Sequence, residues 1–191
     1  MLAAAGVAYG LKKMDYDRVP QVAIISCAFF VASLIHVPFG PVSVHLVLNG
    51  LTGILLGWAA FPAVVVALFL QAILFQFGGL TTLGVNTLNM ALPAVICYLL
   101  FSRLIRSEHR IVSVISAFAC GALAILMSGL MVAVSLMLSQ QSFLETAEIV
   151  LAAHVPIMLI EGVITALVVG FLKKVKSGVL EAPYASSHSK P

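Results

Sequence analysis

Apolar residues run along this chain in long blocks, broken by short clusters of charge, proline and glycine. Residues 1–12 form a short block; 20–38, 41–60 and 61–77 follow with little between them, and 87–105, 112–138 and 146–172 complete the set. A membrane-spanning helix needs roughly 20 mostly apolar residues. The pattern therefore predicts an all-α polytopic integral membrane protein with six complete transmembrane helices and a truncated N-terminal helix. The uncharged stretch 41–77 is too long for one span, and Trp58 with the Phe61-Pro62 step marks its expected break. Trp favours the membrane interface, and Pro disfavours helix in the residue before it. Residues 1–176 read as one transmembrane domain, and Ser177–Pro191, small and polar, as a disordered cytoplasmic tail.

Composition agrees: 62% of the 191 residues are hydrophobic and 9% charged, against about 25% charged in a soluble domain. The net charge of +3 gives no ground for a nucleic-acid partner, and the basic residues serve topology instead. They fall in three groups: Lys12, Lys13 and Arg18; Arg103, Arg106 and Arg110; Lys173, Lys174 and Lys176. Four predicted spans separate the first two groups and two separate the last two, so all three share one face, the cytoplasmic one by the positive-inside rule. The outer face then carries the 36–41 turn, the glycine- and threonine-rich 77–86 turn and the Gln140–Glu148 link, with acids but no lysine or arginine. Cys27, Cys97 and Cys120 lie in apolar blocks with no CxxC pair, which offers neither a disulfide framework nor a thiolate cage.

The polar residues inside these blocks are the candidates for chemistry. In "HVPFGPVSVHLVLNG", His45 is expected about one turn into a helix starting near Pro41, with Asn49 four residues on and on the same side. Gly53-x-x-x-Gly57 continues that row with the spacing that lets membrane helices approach closely. A glycine surface against a neighbour, with His45 and Asn49 facing a polar pocket, joins these facts; the plainer account has His45 bonded to a loop carbonyl. Asn86 suits a helix N-cap, while Asn89, a turn further in, needs an interhelical partner. His36, beside Pro38 and Gly40, is expected to anchor its turn, and Gln71 and Gln76 to bond between helices. In "HVPIMLIEGVITALVVG", His154, Met158 and Glu161 share a helix face. An acid at this depth is a proton relay, an ion ligand or a structural group bonded to backbone freed by Pro156, and the structural role is the expectation. No HExxH, GxSxG or GxxxxGK[ST] motif is present. Uphill transport would then draw on an ion gradient or a partner ATPase, and the lack of a string of acids in any span favours the partner.

With "DYDRVPQVA", "HVPFGPVSVHLVLNGLTGILLGWAAFPA", "QFGGLTTLGVNTLNMALPAV" and "HVPIMLIEG" in view, residues 15–172 resemble the CbiM/NikM family. These are the membrane substrate-binding components of cobalt and nickel energy-coupling-factor transporters. The resemblance implies a multi-pass subunit of a prokaryotic plasma membrane, not itself an enzyme and without a resident cofactor. It would bind Co(II) or Ni(II) outside and deliver it inward with a transmembrane coupling subunit, two cytoplasmic ATPases and a small accessory membrane subunit. It also implies a metal ligand at His45 and supporting polar groups at Asn86 and Asn89; from the residues themselves, Asn49 joins that polar lining, and His36, His154 and Glu161 are further candidates. The family's other ligands form a chelate at an N-terminus that begins Met-His, whereas this sequence begins Met1-Leu2-Ala3. The expectation is that the native protein starts about 10–20 residues upstream, with its N-terminus outside. Two alternatives stand beside this reading: a membrane-embedded enzyme using His45, His154 and Glu161, and a scoop of the same architecture for a vitamin-like molecule.

Overall fold

The structure, a computed structural model, describes residues 1–39, 42–139 and 144–180, with the backbone alone for 36–39, 42–44 and 144–147. Seven α-helices and one short β-hairpin make up the described chain: α1 (Leu2–Lys13), α2 (Val19–Ala32), β1 (His36–Phe39), β2 (Val42–His45), α3 (Asn49–Leu56), α4 (Ala60–Phe75), α5 (Leu83–Ile105), α6 (Arg110–Ser139) and α7 (Leu144–Val175). α6 packs along α7, and α5 lies beside α6. α3 is held between α5 and α6, with all eight of its residues buried. α4 fits between α2 and α5, and α1 lies across α4 and the turn before it.

Four helical stretches are long and apolar enough to cross a membrane: Asn49–Phe75, Leu83–Ile105, Arg110–Ser139 and Glu148–Val175. The first is not one straight rod. Gly57 ends α3 at φ 57° and ψ −126°, and the chain doubles back there. The Leu55 carbonyl, at the end of α3, accepts from Arg18 Nη2 at 3.0 Å, beside the start of α2. Gln71, near the end of α4, donates from Nε2 to Ser33 Oγ at 2.7 Å, past the far end of α2. α3 and α4 therefore run in opposite directions, with the break where Trp58 and Pro62 predict it.

The expected count of six complete spans is corrected here. The block 41–60, read as a full helix, divides into β2 and an eight-residue α3 that rises only about 12 Å. α2 and α4, with 14 and 16 residues, also fall short of a 30 Å hydrocarbon layer as straight rods. His45 accordingly sits at the end of a strand, not inside a helix, and β1 and β2 pair antiparallel with His36 opposite His45. The Val42-Ser43-Val44-His45 alternation is the local cause, a two-residue period rich in β-branched side chains. The Gly53-x-x-x-Gly57 row splits by role. A Cβ at Gly53 would lie 2.1 Å from the Ala94 carbonyl oxygen, so this glycine lets α3 touch α5, whereas Gly57 turns the chain.

Two of the three basic groups gather as expected. Lys173 Nζ, near the end of α7, donates to the carbonyls of Ile105 (3.2 Å) and Ser107 (2.5 Å) in the α5–α6 turn. That brings Arg103, Arg106 and Arg110 to the end of the bundle that holds Lys173, Lys174 and Lys176. Past α7, Gly178–Leu180 adds a helical turn with Leu180 buried, so the segment expected to be disordered from Ser177 begins packed. Its remainder, 181–191, lies outside the described residues, as do Gly40, Pro41 and residues 140–143 of the Gln140–Glu148 link.

Candidate functional site

At the end of the bundle opposite the basic groups, a cavity of about 340 Å³ opens between the β-hairpin and the helices. His45 enters it from β2, Gln71 from α4, Asn86 from α5 and His154 from α7, while Phe77 and Gly78 close it from the α4–α5 turn. Polar residues scattered from His45 to His154 therefore share one chamber, between apolar walls that include Leu68, Met90 and Val132.

Each wall has a local reason. In the α4–α5 turn, Gln76, Gly78 and Gly79 all have positive φ. Gly78 combines φ 71° with a site where a Cβ would stand 3.0 Å from Asn86 Nδ2, so only glycine suits both the turn and the amide beside it. Thr82 Oγ1 bonds back to the Gly78 and Gly79 carbonyls, which pins the turn against the first turn of α5. Asn86 was expected to cap α5, yet α5 begins earlier, at Leu83, with Thr82 in the N-cap position. Asn86 lies inside the helix and donates from Nδ2 to Thr82 Oγ1 at 3.2 Å, its side chain part of the cavity wall.

The two imidazoles are held alike. His45 Nδ1 lies 3.0 Å from the Leu46 carbonyl oxygen, and His154 Nδ1 lies 2.7 Å from the Val150 carbonyl oxygen. A carbonyl only accepts, so each Nδ1 carries a proton, and in the neutral ring Nε2 is the nitrogen with the lone pair. The loop-carbonyl bond expected for His45 thus coexists with its place on the cavity.

Glu161 works beneath this chamber. It is fully buried, and its Oε1 accepts from the backbone N–H groups of Val47 (2.5 Å) and Leu48 (2.7 Å). Its partners are thus in the segment that joins His45 to α3, not in backbone freed by Pro156. Leu48 sits in the left-handed region at φ 57°, so the chain swings between β2 and α3 and leaves consecutive N–H groups without a ladder. A carboxyl oxygen from α7 satisfies both, as a side-chain cap would at a helix N-terminus. Thr165, one turn along α7, lies where a Cβ on Gly121 of α6 would come within 2.5 Å of its Oγ1.

Other expected site residues do different work. Asn49, also fully buried, donates from Nδ2 to Ser128 Oγ on α6 at 2.6 Å, which locks α3 to α6 rather than lining the cavity. Asn89 bonds Ser135 of α6 at 3.3 Å, the interhelical pair its position called for. His36 pairs with His45 through the strand ladder; its side chain is outside the described residues. Cys97 and Cys120 are buried, whereas Cys27 is exposed on the surface of α2. Among the described residues, no three histidine, cysteine, aspartate or glutamate side chains converge as a ready-made metal cage.

Sequence reasoning found α6 as a span but missed its packing face. Its buried face is a row of small residues including Gly121, Ala124, Ser128 and Gly129, and these receive Thr165, Asn49 and the His154 ring. The signal was present as small residues recurring every three or four positions, a close-packing pattern in membrane helices.

Comparison with known proteins places these features. The family CbiM, described as the cobalt uptake substrate-specific transmembrane region, matches residues 1–179. A putative metal transport protein of Haemophilus influenzae is 39% identical over 182 residues, covering 94% of this chain and 88% of that protein. A fused nickel transport protein, NikMN, of Rhodobacter capsulatus is 41% identical over 87 residues, 42% of this chain and 25% of its own length. Among solved structures, the crystal structure of a transition metal transporter superposes with a TM-score of 0.70 at 26% identity, covering 98% of this chain and 90% of that one.

Proposed function

The chain belongs to the CbiM family, and from that premise we propose that it is the substrate-capture subunit of an importer for Co(II) or Ni(II). The observation that carries the reading is the cavity at the end of the bundle remote from the basic groups, with His45 on its wall and Nδ1 of that ring tied to a carbonyl. Imidazole nitrogen is a good ligand for both ions. Ligating histidines generally give their other N–H to a carbonyl or carboxylate. With the basic groups cytoplasmic, the cavity faces outward, where an uptake protein meets its ion.

Delivery across the bilayer needs energy, and this chain carries no nucleotide-binding GxxxxGK[ST] motif. We assign that step to partners: a transmembrane coupling subunit, two cytoplasmic ATPases and a small accessory membrane subunit. The relative named as a fused NikMN protein, of which this chain matches a quarter, supports an assembly of several parts. The reading as a membrane enzyme loses ground, because Glu161 faces the Val47–Leu48 backbone instead of joining His45 and His154 on the cavity wall.

The test is thermal unfolding of the purified protein with Ni²⁺, Co²⁺ or Mg²⁺. A specific site stabilises the folded form by about 2.7 kcal/mol at a hundred times Kd. Nickel and cobalt should raise the unfolding temperature, magnesium should not, and His45→Ala should abolish the rise. Equal shifts with all three ions would refute the assignment.

A further inference from the structure

We propose that His154 is a second imidazole ligand for the captured ion, binding through Nε2 in the cavity that His45 also lines. The inference rests on the uptake reading and extends it to a residue on a different element, α7.

Three observations converge. His154 and His45 border the same chamber. The Nδ1–H of His154 is committed to the Val150 carbonyl at 2.7 Å, which fixes the tautomer and makes Nε2 the metal-binding nitrogen. The ring is also fixed from the side. It lies against Gly129 of α6, where a Cβ would stand 2.9 Å from the imidazole Cγ and 3.0 Å from Cδ2. The glycine thus leaves the space the ring occupies, and the imidazole is seated by backbone on two helices.

The surroundings fit a borderline metal better than a hard one. The described cavity wall contains two imidazoles and the amides of Gln71 and Asn86 but no carboxylate side chain. Mg²⁺ and Ca²⁺ favour oxygen-rich, anionic sites, whereas Ni(II) and Co(II) accept neutral nitrogen readily. An ion held by α7 and β2 together would tie the hairpin to the bundle.

The experiment uses the purified full chain with Ni²⁺ alone, comparing wild type, His154→Ala, His154→Gln and Gly129→Leu. X-ray absorption should count one imidazole fewer on the ion in both His154 variants than in wild type. Affinity should fall at least about tenfold in each, and in Gly129→Leu too, where the ring has lost its seat. The unfolding temperature of the metal-free protein separates a lost ligand from a lost fold, and His154→Gln keeps a side chain of similar reach should the alanine variant unfold. Wild-type binding with the imidazole count and affinity unchanged in His154→Gln would overturn the inference and leave the uptake reading standing. Failure of wild type to bind nickel or cobalt at all would overturn both.

Discussion

At the scale of single residues, Glu161 and the two N–H groups it accepts decide how the segment after His45 is held. Glu161→Ala would bury the Val47 and Leu48 donors unpaired, at about 1–3 kcal/mol each, so a loss of about 2–6 kcal/mol is expected in thermal or denaturant unfolding. Glu161→Gln keeps one acceptor oxygen and should lose clearly less. Hydrogen exchange gives the local readout: the Val47 and Leu48 amides should exchange faster in both variants, by more in the alanine one. Equal stability in all three proteins would remove Glu161 from this role. That the acid would be structural was legible from the lack of a buried lysine or arginine in the adjacent spans to pair with it. Its partners were not, since a hydrogen bond spanning 114 positions leaves no trace in local pattern. Asn49 illustrates the same limit. Its spacing from His45 suggested a shared face only on the premise of a helix, and the non-helical link between them, with Leu48 at φ 57°, sends the two side chains to different neighbours.

Among the elements, the short helix α3 is the one the pattern concealed. An apolar run of 20 residues reads as a span, yet apolarity alone does not separate a long helix from a strand followed by a buried turn of helix. The alternation at Val42–His45 and the glycines at 50, 53 and 57 held the distinction. The long helices α5, α6 and α7 were legible because their apolar blocks are continuous and charges close them. Gly53 and Gly84 give a paired prediction. A methyl group at Gly53 would meet the Ala94 carbonyl oxygen at 2.1 Å, so Gly53→Ala should force α3 from α5 and cost about 1–3 kcal/mol. Gly84, in the first turn of α5, has nothing within 4 Å of a Cβ, so Gly84→Ala should be neutral or stabilising by up to about 1 kcal/mol through helix propensity alone. Unfolding temperatures of the two variants should move in opposite directions or by clearly unequal amounts.

For the whole molecule, the proposed orientation rests on the separation of a basic end from a cavity-bearing end whose turns carry no lysine or arginine. Single cysteines at exposed Lys13, Glu108, Lys176 and Thr81, introduced after replacing Cys27, Cys97 and Cys120 with alanine, test it. A membrane-impermeant maleimide applied to intact cells should label Thr81→Cys and spare the other three. Lysed cells should label all four. Labelling of Lys176→Cys from outside would invert the topology and turn the cavity inward.

The bond from Glu161 to Val47 also has a meaning in time. A ribosome adds about 5–20 residues per second, so Glu161 emerges roughly 6–20 s after the two amides it will satisfy. During that interval the stretch between β2 and α3 has reached the membrane without its acceptor, and an eight-residue helix cannot hold itself across the bilayer. The cavity-bearing half of the protein therefore stays open while four further helices are threaded in. It is completed only by the last of them, so a ribosome that stalls before α7 releases a chain that has its His45 but no settled place to hold it.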